Sequence, residues 1–337
     1  MNDYRVFRIL FALAFCIVVG VGEVTAQYLE CNTVAAAPDS LQLGGTPPQA
    51  GGVSMPEVFP EPYYLKIRCY IHVIQETSGV GGLSQTQIDD MISTVDSDYD
   101  AINITMEIVG QDTVANSLYF SDPDNYASDL FSENPHTDAI DIYLGPSTGT
   151  AKGRADGIPS SAMVITGNLS SYSALSHILG NCLGLYETDE TLFGIENPNG
   201  SNSQIAGDLI DDTAADLGLV GWVDGNCSLS VAFQDSFPNY SPDVTNIMSN
   251  APLDCWSTFS TGQGQRISDS LEYFSVLRGV AVSFPPGGVF HSYSNETQMD
   301  LSIGQIDRRT NAVAFSEIDC FSTGKECLSF SMFYSPR

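Results

Sequence analysis

Ser176-His177-Ile178-Leu179-Gly180-Asn181-Cys182-Leu183-Gly184-Leu185-Tyr186-Glu187-Thr188 is the stretch on which the reading of this chain turns. Leu175, Leu179, Cys182 and Leu183 recur at helical spacing and form a core stripe. Ser171 or Ser173 predicts the start of the helix and Gly184 its end, since serine caps and glycine stops helices. His177 and Asn181, one helical turn apart, share a different face, and Glu187 follows just past the stop.

Working outward, Leu65 to Ile74 alternates as a strand, with Ile67, Cys69, Ile71 and Val73 on one face. Gly79 to Gly82 breaks the pattern, and Ser84 then caps a helix carrying Ile88, Met91, Ile92, Val95 and Tyr99 at helical spacing. Strands are expected at Ile104 to Val109 and Ala139 to Leu144, and an edge strand within Gly157 to Ile165. Strand, helix, strand, strand predicts an α/β or α+β fold in which the helix covers one side of the sheet. Beyond Glu187 the chain turns loop-rich and acidic, and a helix returns at Gly264 to Leu277.

The ends differ from this middle. Residues 1–26 read as a secretory signal peptide, with Arg5 and Arg8, an apolar run from Ile9 to Val21, and a small-residue site at Val24-Thr25-Ala26. That run is too short and too interrupted by Gly20, Gly22 and Glu23 for a membrane span, so no transmembrane segment is expected in the mature chain. Residues 27–62, rich in proline and glycine, read as an arm or propeptide. Residues 63–284 form the expected folded domain, and 285–337 a small β-rich tail with a cysteine loop.

With 41 acidic against 12 basic side chains the formal charge is −29, which repels phosphate backbones and anionic lipid and argues against nucleic-acid partners. Export permits disulfides among Cys31, Cys69, Cys182, Cys227, Cys255, Cys320 and Cys327, an odd number that leaves one thiol over. The short segment with Gly324 suggests pairing Cys320 with Cys327.

The central stretch resembles HExxHxxGxxH, in which three histidines bind zinc and the glutamate activates water. His177 and Gly184 match, whereas Ile178, Asn181 and Glu187 stand at the glutamate, second-histidine and third-histidine positions. Other segments follow in order: Tyr70-Ile71-His72-Val73-Ile74, Ile158-Pro159, Met163-Val164-Ile165, Gly207 to Asp216, Asn246-Ile247-Met248-Ser249-Asn250, and Cys255 to Gln263. Together they resemble the cytophagalysin or pappalysin-like branch of the metzincin metalloendopeptidases over Leu65 to Leu277. The resemblance implies a metzincin-like α/β (α+β) fold: a mixed, mostly parallel twisted sheet, two main helices, an active-site helix, a Met-turn at Met248 and a loop-rich C-terminal subdomain. It also implies a Cys227 to Cys255 disulfide, and it likens Cys31-Asn32-Thr33 to a propeptide Cys-Gly-Thr whose cysteine can cap the zinc.

The departures fall on the reactive atoms. Catalytic zinc takes three good protein donors and a water, and here only His177 and Glu187 offer such donors, with a weak amide at Asn181. Ile178 cannot take a proton, so no catalytic residue is expected. His72 and His136 read as packed strand and loop residues. Asp208, Asp211 and Asp212 could hold calcium, since hard carboxylates suit it. The reading expects no resident cofactor, with zinc and calcium as the alternatives. It points to a secreted, extracellular or cell-surface pseudoprotease that binds a protein or peptide ligand. The alternatives are a zinc-dependent metalloendopeptidase with a nonstandard metal site and a surface structural or adhesion protein.

Overall fold

The protein is described here by a computed structural model covering residues 27–34, 64–168 and 171–284. The signal peptide, most of the arm, the Cys320 and Cys327 loop and the tail lie outside these residues.

The strands are β1 (Glu30–Cys31), β2 (Tyr64–Gln75), β3 (Ile104–Ala115), β4 (Ile140–Leu144), β5 (Lys152–Ala155), β6 (Ala162–Thr166) and β7 (Ala281–Phe284). The helices are α1 (Gln85–Asp100), α2 (Ser117–Ser121), α3 (Ala127–Leu130), α4 (Ser173–Cys182), α5 (Val231–Ser236) and α6 (Thr261–Tyr273). The sheet runs β1-β5-β6-β4-β2-β3, and β7 pairs antiparallel with the start of β2. β5 is antiparallel to β6, while β1 to β5, β6 to β4, β4 to β2 and β2 to β3 are parallel. The mixed, mostly parallel α/β architecture expected from the sequence is therefore present.

Alternation in β2 sorts its residues between two cores. Ile67, Cys69, Ile71 and Val73 join Ile88, Met91, Val95 and Tyr99 of α1 and the residues of α4 in the main core. Ile74 meets Tyr143 of β4, Val164 of β6 and Ala127 and Leu130 of α3 in a smaller core. α1 begins where expected: the Ser84 hydroxyl accepts from the Gln87 N–H, and the Gln87 side chain reaches back to the Ser84 N–H, a box worth about 1 kcal/mol.

Four expectations need correction. The strand within Gly157 to Ile165 is not an edge strand, because β6 has β4 on one side and β5 on the other. Its five residues are buried, as in a strand covered on both faces. Outside β6 lies Lys152–Ala155, whose two basic residues and glycine gave no strand-like run, and β1 of the arm pairs along its outer side. α4 begins at Ser173 but lacks a side-chain cap bond from Tyr172, the residue before it. α6 starts earlier than Gly264, because Ser260 and Gln263 form a second capping box, and a 3-10 turn at Ser275–Leu277 is separate from it. β3 runs on to Ala115, past the expected Val109. Among the described residues, no helix is long and apolar enough to cross a membrane.

Candidate functional site

All ten residues of α4 are buried, so the helix is apolar around most of its circumference and its polar side chains are held inside the protein. The Tyr99 hydroxyl donates to Ser176 O at 2.9 Å, and the Ser176 hydroxyl donates to Asp98 Oδ2 at 2.6 Å, tying α4 to α1. Leu183 N–H donates to Leu179 O, Gly184 N–H to Asn181 O, and Leu185 N–H to Gly180 O. Gly184 has φ +96, and a side chain there would also meet Ser270 Oγ at 2.3 Å. The glycine therefore ends the helix and turns the chain toward Glu187.

Beneath α4 lies Met248, fully buried. Its N–H donates to Asn246 Oδ1 at 2.8 Å, and the Asn246 and Gln263 amides exchange two hydrogen bonds of 3.0 Å. Thr188 N–H donates to Met248 O at 3.0 Å, which joins the segment after Glu187 to this turn. A Cβ on Gly180 would stand 2.6 Å from Met248 Sδ, so glycine lets helix and turn approach closely. Nearby, the expected disulfide joins Cys227 to Cys255, with Cα atoms 5.4 Å apart.

These supports converge on His177, which is 1% exposed. Its Nδ1 lies 2.6 Å from Ile247 O and its Nε2 3.0 Å from Glu187 Oε1, while its ring stacks on Trp256 with centroids 4.8 Å apart. A backbone carbonyl can only accept, so Nδ1 carries a proton, and Nε2 must carry a second one to donate to Glu187. The ring is an imidazolium. Burial alone pulls its pKa down, but the Glu187 carboxylate and hydrogen bonds to Glu187 and Cys31 outweigh that and raise it well above the ordinary value. Burial would raise Glu187, and the His177 charge overcomes this and lowers it.

The arm covers this pair. Glu30 N–H donates to Ala151 O and Asn32 N–H to Gly153 O, both at 2.9 Å. Cys31 of β1 then reaches the site, its thiol 3.6 Å from Asn181 Oδ1, while Asn181 Nδ2 donates to Leu185 O at 3.2 Å. Burial, followed by the Glu187 charge, raises the Cys31 pKa and keeps it a thiol. Donor atoms of Cys31, His177 and Glu187 all lie within 4.8 Å of one another, so these three could hold a metal ion. Thiolate, imidazole and carboxylate all suit zinc, which fits the donor set to a closed site. Ile178 is fully buried and packs over Gly153, where a Cβ would meet its Cγ1 at 2.5 Å, so the side chain is part of the core.

The three acidic residues singled out for calcium use separate partners. Asp208 Oδ1 accepts from Ile210 N–H and the Thr213 hydroxyl, Asp211 from Ser203 and Gln204, and Asp212 from the Ser260 hydroxyl and Gly262 N–H. The other Asp208 oxygen and Glu196 Oε2 are buried and accept no hydrogen bond from the described residues. Burial, as the main cause, raises Asp208 to about 8 and Glu196 to about 7. Glu196 escaped sequence reasoning because nothing in Gly194-Ile195-Glu196-Asn197 marks it as buried. Trp256 was legible only as part of Cys255 to Gln263, without its contact to His177.

No family model matches the chain. It is 25% identical over 221 residues to an extracellular metalloprotease of Arthroderma gypseum, covering 60% of this chain and 70% of that protein. An extracellular metalloprotease of Trichophyton verrucosum is 24% identical over the same shares. Among solved structures, mature mirolysin of Tannerella forsythia in complex with a cleaved peptide is 15% identical, with a TM-score of 0.43, covering 66% of this chain and 96% of that one. A promirolysin variant of the same organism gives 15% identity and a TM-score of 0.42, covering 65% and 85%. The sequence is thus weakly homologous to extracellular metalloproteases.

Proposed function

We propose that this chain, a distant relative of extracellular metalloproteases, is a secreted pseudoprotease of the cytophagalysin or pappalysin-like kind that binds an extended peptide without cutting it. The observation that carries this reading is the combination at α4. The base position holds Ile178, packed into the core, and the one retained histidine is neutralised by Glu187. Removing a general base costs about 10² to 10⁴ in rate, and no other residue of the site takes its place. The arm strand β1 supports a peptide ligand, because it adds to the exposed edge of β5 through main-chain hydrogen bonds, as strand addition does.

The chemistry that a zinc ion would supply is polarisation of a carbonyl and activation of water. Cys31, His177 and Glu187 would hold it, with Asn181 beside them. This donor set supports a second reading, a metalloendopeptidase with a nonstandard site opened by departure of the arm. The two are separated by assaying the purified secreted protein, with and without zinc, against a broad peptide mixture. EDTA-sensitive cleavage would sink the pseudoprotease reading. Substituting Ile178→Glu, Asn181→His and Glu187→His together is expected to create tight zinc binding.

A further inference from the structure

On the face of the sheet opposite α4, a second group of ligating side chains is assembled from three strands and a loop. His72 of β2 pairs in register with Asp112 of β3, and its Nδ1 lies 2.7 Å from Asp112 Oδ1. Its Nε2 lies 3.1 Å from Oδ1 of Asp141 on β4. His136, in the loop before β4, places Nδ1 2.7 Å from the same Asp141 Oδ1, and its N–H donates to Asp141 Oδ2 at 2.8 Å. Aromatic rings hold both imidazoles: Tyr143 stacks on His72 at 4.4 Å and Tyr70 on His136 at 3.9 Å.

With both rings neutral, the hydrogen-bond inventory does not close. When His72 donates from Nδ1 to Asp112, a neutral ring turns the Nε2 lone pair toward the Asp141 carboxylate, acceptor against acceptor. A proton or a metal ion has to lie between them. With both imidazoles neutral, the Asp112 and Asp141 carboxylates leave two negative charges in the group, which a single divalent cation balances.

The geometry points to a zinc site formed by His72 Nε2, His136 Nδ1 and an Asp141 carboxylate oxygen, with Asp112 orienting the His72 ring from behind. The three donor atoms lie within 4.8 Å of one another, and zinc bonds of about 2.0 to 2.2 Å place tetrahedral donors about 3.3 Å apart. Asp112 on Nδ1 gives the carboxylate, histidine and metal chain that fixes the tautomer and raises ligand basicity. His72 and Asp141 have side chains 0% and 2% exposed, whereas that of His136 is 26% exposed and gives the ion a route in. Two nitrogens and one oxygen suit zinc rather than calcium or magnesium. This site does not rest on the pseudoprotease reading, and no residue of α4 belongs to it.

The test uses the full secreted chain carrying Cys31→Ser and Glu187→Gln, which removes the sulfur and the carboxylate from the α4 site. After equilibrium dialysis against zinc, one ion per chain is expected, with X-ray absorption showing imidazole nitrogen and carboxylate oxygen and no sulfur. His136→Ala in that background is expected to weaken zinc binding by more than about 100-fold, and Asp112→Asn by about 10- to 100-fold. Circular dichroism checks that each variant is folded, and Asp112→Asn, a near-isosteric change on a part-exposed residue, decides the matter if His136→Ala does not fold. A background protein that retains no zinc, or zinc binding that neither variant weakens, overturns the proposal.

Discussion

His177 and His72 are both fully buried imidazoles with an acceptor on each ring nitrogen and an aromatic ring stacked on one face. They differ in what those acceptors are. His177 faces one carbonyl and one carboxylate, so a single extra proton makes a neutral pair. His72 faces two carboxylates, and a proton on His72 alone leaves one negative charge for His136 or a cation to balance. The first arrangement balances its charge with one proton, and the second, with His136 beside it, offers a cation two nitrogens and a carboxylate. The Glu187 side chain is 22% exposed and that of Asp112 30%, whereas that of Asp141 is 2% exposed, so water screens Asp141 least.

That contrast can be broken most directly by removing each histidine. His72→Ala strands the Asp141 charge and is expected to cost about 3 to 5 kcal/mol in urea unfolding, near the top of the range for a broken buried pair. His177→Ala should cost less, because Glu187 can recover solvent. A larger loss for His177→Ala would invert the comparison.

Next in size, Cys227→Ala with Cys255→Ala opens a loop with a sequence separation of 28 and should cost about 3 to 4 kcal/mol in the chain-entropy account. Because Cys255 precedes Trp256, the ring stacked on His177, the loosening should reach the α4 site and spare His72. Hydrogen exchange at Thr188 and Met248 N–H, compared with strand β2, measures this directly.

Gly180→Ala gains helix propensity but drives a methyl group into Met248 Sδ, and overpacking of this kind costs about 1 to 3 kcal/mol. Thermal unfolding should show a net loss. A gain would mean that Met248 can move aside and that the turn does not press on α4.

The smallest effect is in pH. His177 is raised above its ordinary 6.5, so its contribution is complete below that value and fades as pH climbs toward the folded pKa. Glu187 is lowered from its ordinary 4.5, so its contribution is complete above that value and fades as pH falls toward the folded pKa. The stability difference between the parent protein and Glu187→Gln should therefore be widest between pH 4.5 and 6.5, shrinking on both sides. An unfolding series in which that difference grows steadily up to pH 9 would show that the pair is not ionised.

The legible parts of the fold were those written in neighbouring residues. Ser84 with Gln87, the stripe of α1, the alternation of β2, and Gly184 closing α4 all depend on contacts a few residues apart, and each stands in the structure. Ser260 with Gln263 is equally local, and it starts α6 ahead of the expected Gly264. β5 misled because its basic residues and glycine do not mark a strand, and only pairing with β6 and the arm makes it one.

By itself, the sequence determined which chemistry is present around His177 and which is missing, because Ile178 cannot act as a base in any fold. It also set the helix, its glycine stop and the spacing that brings Glu187 back. Only the tertiary structure decided that Glu187 would turn onto His177 as a charge partner and that Cys31, 150 residues from Asn181, would lie beside them. It likewise gathered His72, Asp112 and Asp141, separated by 40 and 69 residues. The reason is physical: local periodicity fixes which face of a strand or helix a residue occupies, while the order of strands in the sheet fixes which distant faces meet, and charge balance depends on that meeting.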